Sequence, residues 1–326
     1  MHHHQTKSSL ISRGYTFAFI SAFFLSTTAI FIRYLTQTYQ LPALVLAFWR
    51  DVFVTVSLFP VLIIFRPKLL EISKASFLYL IAYGFVLAIF NALWTLSVAL
   101  NGAAIATVLV YCSAGFTALL GWWLLKEQLH WSKIVAIFLS LGGCAIVSGV
   151  VGGSGWQSNL IGVIAGIFAG LFYAIYSLMG RSASQRGLNP ATTLFYTFAF
   201  ATIFLLFINL IPGDFPPGKA IRISDLLWLG SAWEGWGVLF LLAAVPTVAG
   251  FGFYNLSLSH LPSSVANLIL TLEPAFTAIT AFILLGERFT GIQILGSLIT
   301  LAGVVFLRVY ENIQIMKSEK TVTSIP

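Results

Sequence analysis

Three ionisable residues, Arg50, Asp51 and Glu273, lie inside long apolar stretches of the chain. A charge at the centre of a lipid bilayer costs about 2.5 to 3.5 kcal/mol on insertion scales, so such residues usually face a cavity or a partner. Burial favours the neutral form of a carboxyl group, which suits Glu273 to exchange a proton near physiological pH. We therefore expect Glu273 to bind substrate or to couple protons. The alternative is a structural tie to Arg50 or to the backbone.

Glu273 is followed directly by Pro274. In a continuous helix the proline ring displaces the carbonyl of Leu270 and removes one backbone hydrogen bond. A free acceptor and a carboxylate would then lie one turn apart, and Thr277 would extend the polar stripe on the same face. The Arg50 guanidinium either pairs with Glu273 or binds a substrate carboxylate through its planar fork. Asp51 is expected about 100° away around the helix, off the face of Arg50.

Aromatic and amide side chains recur at mid-span positions and form a candidate cavity lining. Aromatic walls suit apolar, aromatic or cationic substrates, although each such residue also fits a packing role. Glu127 and Glu287 fall at span ends, where we expect them to cap the helices that follow. The candidate lining consists of Trp49, Asn91, Trp94, Tyr111, Tyr173, Tyr176, Tyr254 and Asn255.

The composition indicates where these residues are held. The chain has 326 residues, of which 59% are hydrophobic and only 8% charged, whereas soluble domains carry about 25% charged residues. A soluble domain is therefore excluded, and the chain is predicted to be an all-α membrane protein. Apolar stretches long enough to cross a bilayer predict ten transmembrane helices, at 14–35, 42–65, 76–98, 103–124, 133–151, 159–180, 190–211, 237–258, 263–284 and 292–309.

Several functional classes have no support in the sequence. The net charge of +7 comes from basic residues scattered among loops, which argues against a nucleic-acid partner. Cys112 and Cys144 fall within apolar segments, so no disulfide or metal site is expected. Neither GxxxxGK[ST] nor HExxH occurs, so we expect no ATP hydrolysis, no intramembrane enzyme and no cofactor.

The distribution of positive charge predicts the orientation. Most of the 17 Lys and Arg residues lie in the loops that would be cytoplasmic if the N-terminus is inside. The positive-inside rule then places both termini in the cytoplasm, with tails at 1–13 and 310–326. We expect a multi-pass protein of the cell (inner) membrane.

The sequence also contains an internal repeat. A shift of 160 residues aligns the stretch from Ala104 with the stretch from Ser264 without a gap, so that Glu127 falls on Glu287. The predicted repeats, 14–151 and 159–309, hold five helices each, and an odd number gives the second copy the opposite orientation. Inverted repeats are typical of transporters whose substrate site lies at the repeat interface.

These features together resemble a known family. The stretch EPAFTAITAFILLGERFTGIQILGSLITLAGV, its degenerate copy in the first half, and FWR in span two are similar to the EamA branch of the drug/metabolite transporter superfamily. The resemblance runs from about Gly14 to Leu307 and implies two five-helix EamA repeats around a central cavity. The characterised members of that family include exporters of amino acids and other small metabolites. Ala114 stands where the second repeat has Pro274, so if that proline is a hinge, the halves move asymmetrically.

We therefore expect a secondary transporter, an exporter of amino acids or related small metabolites working by alternating access. The alternatives are a multidrug or cationic lipophile exporter and a passive facilitator of the same fold. The expected partners are a small-molecule substrate and the lipid bilayer, with protons as the candidate coupling ion. Monomer and homodimer both remain open.

Overall fold

Among the residues that the computed structural model describes, α-helices predominate and no β-strand occurs. Those residues are 2–125, 131–147, 159–261, 266, 269–270, 272–288 and 290–323.

We number the longer described helices α1 to α12 in chain order. A π-helical turn, Ala243–Thr247, joins α9 to α10, and two short 3-10 segments occupy Pro67–Leu70 and Ile223–Leu227. The helices are α1 His2–Thr38, α2 Ala43–Phe65, α3 Lys74–Asn101, α4 Ala103–Val110, α5 Ser113–Leu125, α6 Trp131–Val147, α7 Leu160–Gln185, α8 Pro190–Leu210, α9 Trp233–Leu242, α10 Val248–His260, α11 Glu273–Leu285 and α12 Gly291–Thr323.

Within the described ranges, six helical segments are long and apolar enough to cross a membrane. They coincide with six of the predicted spans, and the chain is a multi-pass membrane protein. The count of ten spans stays a prediction. The six segments are Arg13–Thr38, Ala43–Phe65, Lys74–Asn101, Leu160–Gln185, Pro190–Leu210 and Trp233–His260.

The N-termini of three helices are fixed by side-chain caps. Ser73 Oγ accepts the Ser76 N–H at 3.2 Å at the start of α3. Asn159 Oδ1 accepts the Ile161 N–H at 3.0 Å before α7, and Asn189 Oδ1 accepts the Ala191 N–H at 2.9 Å before α8. Ser and Asn suit these places because their oxygens satisfy backbone donors that have no partner within the helix.

Glycines allow α7 to pack closely on the first half of the chain. A Cβ at Gly166 would lie 2.7 Å from Ser97 Oγ of α3, and one at Gly170 would lie 2.7 Å from Cys112 Sγ. Small residues at four-residue spacing let two helix backbones approach without clashes. This contact joins the two predicted repeats next to the break between α4 and α5.

The span expected at 103–124 contains that break, and the span itself stays a prediction. Helix α4 ends at Val110, and the chain makes a tight turn in which the Cys112 N–H bonds the Leu109 carbonyl at 3.2 Å. Helix α5, Ser113–Leu125, then begins, and a shift of 160 residues places it on α11, Glu273–Leu285. Glu273 therefore begins a helix and does not lie midway along one. Pro274 occupies the first turn of α11, where its missing N–H costs nothing.

Candidate functional site

A cavity lies beside the two helix starts and encloses about 450 Å³ of space between protein atoms, including space open to solvent. Six of the residues singled out from the sequence line it: Arg50, Asn91, Trp94, Tyr111, Tyr173 and Glu273. The rest of its wall is mostly apolar and consists of Leu25, Thr28, Phe90, Val110, Thr247 and Phe251. The cavity thus combines an apolar wall with a few polar groups, which is typical of small-molecule sites.

Glu273 is 7% exposed, and one of its oxygens, Oε2, lies 3.0 Å from the Tyr111 hydroxyl. The same hydroxyl donates to the Leu270 carbonyl, the acceptor that the sequence predicts to be freed next to Pro274. A phenol has one hydrogen, so it can serve only one of these two acceptors at a time. If the hydrogen goes to Leu270, a protonated Glu273 completes the network by donating to the Tyr111 oxygen. Tyr111 therefore links the Glu273 carboxyl to the break between α4 and α5.

A second polar group is formed by Arg50, Asp51 and Asn91. Asp51 Oδ1 lies 3.4 Å from Arg50 Nε, and the Asn91 amide nitrogen donates to Asp51 Oδ1 at 3.0 Å and to Oδ2 at 2.8 Å. The expectation that Asp51 lies apart from Arg50 is wrong, because the long arginine side chain brings its Nε within 3.4 Å of Asp51 Oδ1. In the described part of the chain, the ion-pair partner of Arg50 is Asp51 and not Glu273.

Two polar atoms of this group remain without a hydrogen-bond partner among the described residues. Arg50 Nη2 and Asn91 Oδ1 are both buried, and both residues line the cavity. Buried polar atoms in proteins are nearly always paired with protein, water or ligand. A donor and an acceptor are therefore available to whatever occupies the cavity.

Four further candidate residues lie behind the cavity wall. The Tyr176 hydroxyl donates to Asn255 Oδ1 at 3.5 Å, and the Tyr254 hydroxyl lies 2.7 Å from Ser177 Oγ. The Tyr254 ring also stacks on Tyr173, with centroids 5.9 Å apart. Thr277 Oγ1 donates to the Ser26 carbonyl at 3.1 Å, so this side chain holds α11 against α1.

Trp49 lies outside the cavity wall. Its indole N–H donates to the Leu226 carbonyl at 2.5 Å, and its ring packs edge-on against Trp236 at 5.0 Å. The amphipathic indole therefore joins α2 to the loop before α9. Trp49 therefore has the packing role that was the alternative for each residue of the candidate lining.

Glu287 caps a different helix from the one expected. Its carboxylate accepts the Ala103 N–H at 3.1 Å and the Ala104 N–H at 3.2 Å at the start of α4, and lies 3.2 Å from Arg33 Nε. Gly286, at φ 69°, turns the chain at the end of α11 and brings the carboxylate there. Thr290 Oγ1 instead caps α12, accepting the Gln293 N–H at 3.3 Å. Glu127 lies outside the described residues.

The chain is similar to known transporters over most of its length. The model of the EamA-like transporter family matches the chain twice, over residues 12–149 and 160–309. The uncharacterized transporter sll1319 of Synechocystis sp. is 28% identical over 230 residues, covering 71% of this chain but 66% of that relative, just under two thirds of its length.

Two relatives have more specific names. The threonine/homoserine exporter RhtA of Salmonella typhimurium is 28% identical, with 71% of each chain covered. The protein of the same name from Escherichia coli K12 is 27% identical over the same shares. One crystal structure matches with a TM-score of 0.59 at 15% identity, covering 93% of this chain and 98% of its own. That last likeness concerns the fold alone.

Proposed function

Because the chain belongs to the EamA-like transporter family, we propose that it exports amino acids or related small metabolites across the cell (inner) membrane. Family members are transporters of small molecules and not enzymes. The chemistry to be explained is therefore recognition and movement of a substrate. The observation that carries the proposal is the position of Glu273 and Tyr111, which lie at equivalent helix breaks on the wall of one cavity.

Broken helices suit a transport site. A break exposes backbone groups and half-helix ends within the membrane, and these are tolerated only where they line a cavity or are buried in protein. Transporters use such ends to hold substrate and coupling ions near the bilayer midplane. Glu273 begins α11, and Tyr111 lies just before α5 in the other repeat. A substrate between them would touch both repeats.

Alternating access follows from this arrangement. We take the repeats 14–151 and 159–309 as two inverted five-helix units, with both termini cytoplasmic. The turns before α5 and α11 are the flexible points, and Pro274 is the hinge of the second. The Tyr111 hydroxyl contacts Leu270 and Glu273, so these contacts join the two units at the cavity. A change in these bonds would open one side and close the other, and a monomer is sufficient for it.

Glu273 supplies the coupling group. With the Tyr111 hydrogen on the Leu270 carbonyl, the network favours a protonated carboxyl. Loss of that proton would create a competing acceptor for the same hydrogen and loosen the contact between the two breaks. Proton release would thereby accompany the conformational change. The protein is accordingly proposed to exchange protons for substrate.

A second candidate is export of lipophilic cations. The mostly apolar wall, which includes Trp94, Phe90 and Phe251, suits such compounds, and an ionised Glu273 would balance their charge. A passive facilitator of the same fold is the third alternative. Flux that saturates and responds to a pH gradient separates a coupled carrier from it.

The test compares the extracellular metabolite profiles of cells that carry wild-type protein, Glu273→Gln, or empty vector, at matched membrane abundance. Threonine and homoserine are followed first because of the relatives' names. Enrichment of an amino acid with wild type alone supports the proposal. Equal enrichment with Glu273→Gln would keep the exporter but remove this carboxyl from its mechanism. Enrichment of added lipophilic cations instead would favour the second candidate.

A further inference from the structure

The Arg50–Asp51–Asn91 group contains a residue whose role nothing in the sequence pattern indicates. Asp51 is 0% exposed and bonds both neighbours through one carboxylate. We propose that Asp51 is a positioning residue: it aims Arg50 Nη2 and Asn91 Oδ1 into the cavity as a two-point site for the carboxylate and ammonium groups of an α-amino acid. This inference rests on the proposed function. It assigns the part of the cavity that binds the α-carboxylate and α-ammonium groups of the substrate.

Asp51 uses one end of each neighbouring side chain and leaves the other end available. It engages the Arg50 guanidinium at Nε and the Asn91 amide at Nδ2. The atoms left unpartnered in the described part of the chain are Arg50 Nη2, a cationic donor, and Asn91 Oδ1, an acceptor. The carboxylate also fixes the Asn91 amide orientation, because only its nitrogen can donate to Asp51.

Charge decides what this pair of atoms can bind. The charges of Arg50 and Asp51 cancel, so a ligand without net charge leaves the site electrically neutral. A zwitterion is neutral overall but offers an anionic acceptor for the guanidinium and a cationic donor for the amide oxygen. Charged hydrogen bonds of this kind are stronger than neutral ones. An amine without a carboxylate, or an acid without an ammonium, would satisfy only one of the two atoms.

The two halves of the chain contribute different polar groups to the cavity. The Arg50 and Asn91 atoms come from α2 and α3 in the first half of the chain, whereas Glu273 begins α11 in the second. The main-chain end of the substrate would bind the first half, and its side chain would face the apolar wall. Substrate choice among amino acids would then depend on residues such as Phe90 and Phe251, with Asp51 governing the requirement for an amino acid.

The experiment measures counterflow of L-threonine in proteoliposomes with purified wild-type protein and Asp51→Asn. Two competitors each lack one group: L-threonine amide has the ammonium without the carboxylate, and 3-hydroxybutyrate has the carboxylate without the ammonium. For wild type we expect each to bind at least about tenfold more weakly than threonine, the loss of one charged hydrogen bond. In Asp51→Asn the KM for threonine should rise by about tenfold, bringing all three affinities within about threefold.

The matched control is Thr95→Val. Thr95 is buried on α3 one turn beyond Asn91 but does not line the cavity. The Thr95→Val variant should keep the wild-type preference for threonine over both competitors. A purely structural role for Asp51 would lower the amount of folded protein or the maximal rate and leave the preference intact, which would overturn the inference. If wild type neither carries nor binds threonine or homoserine, the same comparison uses the amino acid that wild type enriches outside cells, and enrichment of no amino acid would refute the proposed amino-acid export itself.

Asp51→Asn leaves the Arg50 charge buried without a counter-charge, so this variant can fail to fold. Two further variants keep the question answerable: Arg50→Gln, in which a proton can neutralise Asp51, and Arg50→Gln with Asp51→Asn, which buries no net charge. If Asp51 acts on the substrate carboxylate through Arg50, adding Asp51→Asn to Arg50→Gln should change the ratio of the affinities for threonine and threonine amide by no more than about threefold. A further tenfold fall in that ratio would show that Asp51 acts on the carboxylate independently of Arg50 and would contradict the inference.

Discussion

Two glutamates at opposite ends of α11 have contrasting surroundings. Glu273, at the start of the helix, has the Tyr111 hydroxyl as its side-chain partner and faces the cavity. Glu287, two residues beyond the end of the helix, receives two backbone N–H groups and the Arg33 guanidinium. A carboxylate has about four lone-pair sites. Glu287 has filled most of its sites with fixed partners, whereas Glu273 keeps most of its capacity.

The contrast shows how to separate a structural carboxyl from a functional one. Glu287 joins the end of α11 to the first turn of α4 and to α1, and a negative charge at a helix N-terminus is stabilising. These contacts give Glu287 a structural role. Glu273 is more deeply buried and has fewer partners, so its burial is understandable if it exchanges a proton or a substrate. Variants of the two residues should therefore have opposite effects.

The largest expected effect is on transport by Glu273→Gln. The amide keeps the size of the side chain but cannot gain or lose a proton, so the export rate should fall by at least about tenfold. The unfolding midpoint in detergent should stay close to that of wild type, because the amide can still bond Tyr111. Loss of folded protein in parallel with transport would make Glu273 structural, like Glu287.

Glu287→Gln should do the reverse. Loss of the charge weakens the Arg33 ion pair and the bonds from Ala103 and Ala104, at a cost of about 2 kcal/mol of unfolding free energy. Thermal unfolding followed by the fluorescence of a thiol-independent dye should show a lower midpoint. The KM for substrate, measured on the folded fraction, should be unchanged. An altered KM at unchanged stability would contradict the assignment.

Gly102→Ala tests the same contact from the α4 side. Gly102 has φ 88°, and a Cβ there would lie 2.8 Å from Glu287 Oε1. Strain and collision together should cost about 2 kcal/mol. Gly187→Ala is the matched control, because Gly187 has φ 77° and open space around the Cβ position. Equal losses of stability would mean that Glu287 does not crowd the α4 start.

The smallest expected effect on transport belongs to Trp49→Phe. Trp49 bonds Leu226 outside the cavity wall, so the KM for substrate should stay within about twofold of wild type. Trp94→Phe, on the cavity wall, is the comparison variant and should change the KM more. A larger change in KM for Trp49→Phe than for Trp94→Phe would place the substrate elsewhere.

Much of the helical architecture follows from hydropathy and helix-ending residues. The spans expected at 42–65 and 190–211 correspond to Ala43–Phe65 and Pro190–Leu210. Pro42 directly precedes the first of these helices, and Pro190 is the first residue of the second, so each proline indicates where its helix begins. The break between α4 and α5 has no such signal, because its two residues, Tyr111 and Cys112, are neither proline nor glycine. The hydrogen bond from Tyr111 to Leu270 joins residues far apart in the chain, and local sequence does not indicate it.

The sequence indicates several residues of the site but not the contacts that they make with one another. A charge in an apolar stretch indicates Glu273 and Arg50 because membranes tolerate few such residues. The sequence does not show that Asp51 joins Arg50 to Asn91, since helical spacing describes where Cβ points and not how far a long side chain reaches. Aromatic residues lining the cavity and those packing between helices are equally apolar, so Trp49 and Trp94 look alike until their neighbours are known.

The most direct test of the account is the initial rate of amino-acid flux in proteoliposomes, with and without an imposed pH gradient. Wild type, Glu273→Gln and Glu287→Gln are compared at equal amounts of folded protein, using threonine and homoserine. We expect the gradient to accelerate wild type and Glu287→Gln alike, and to leave Glu273→Gln slow under both conditions. Wild-type rates and an intact gradient response in Glu273→Gln would contradict the claim that this carboxyl is the working group of the cavity.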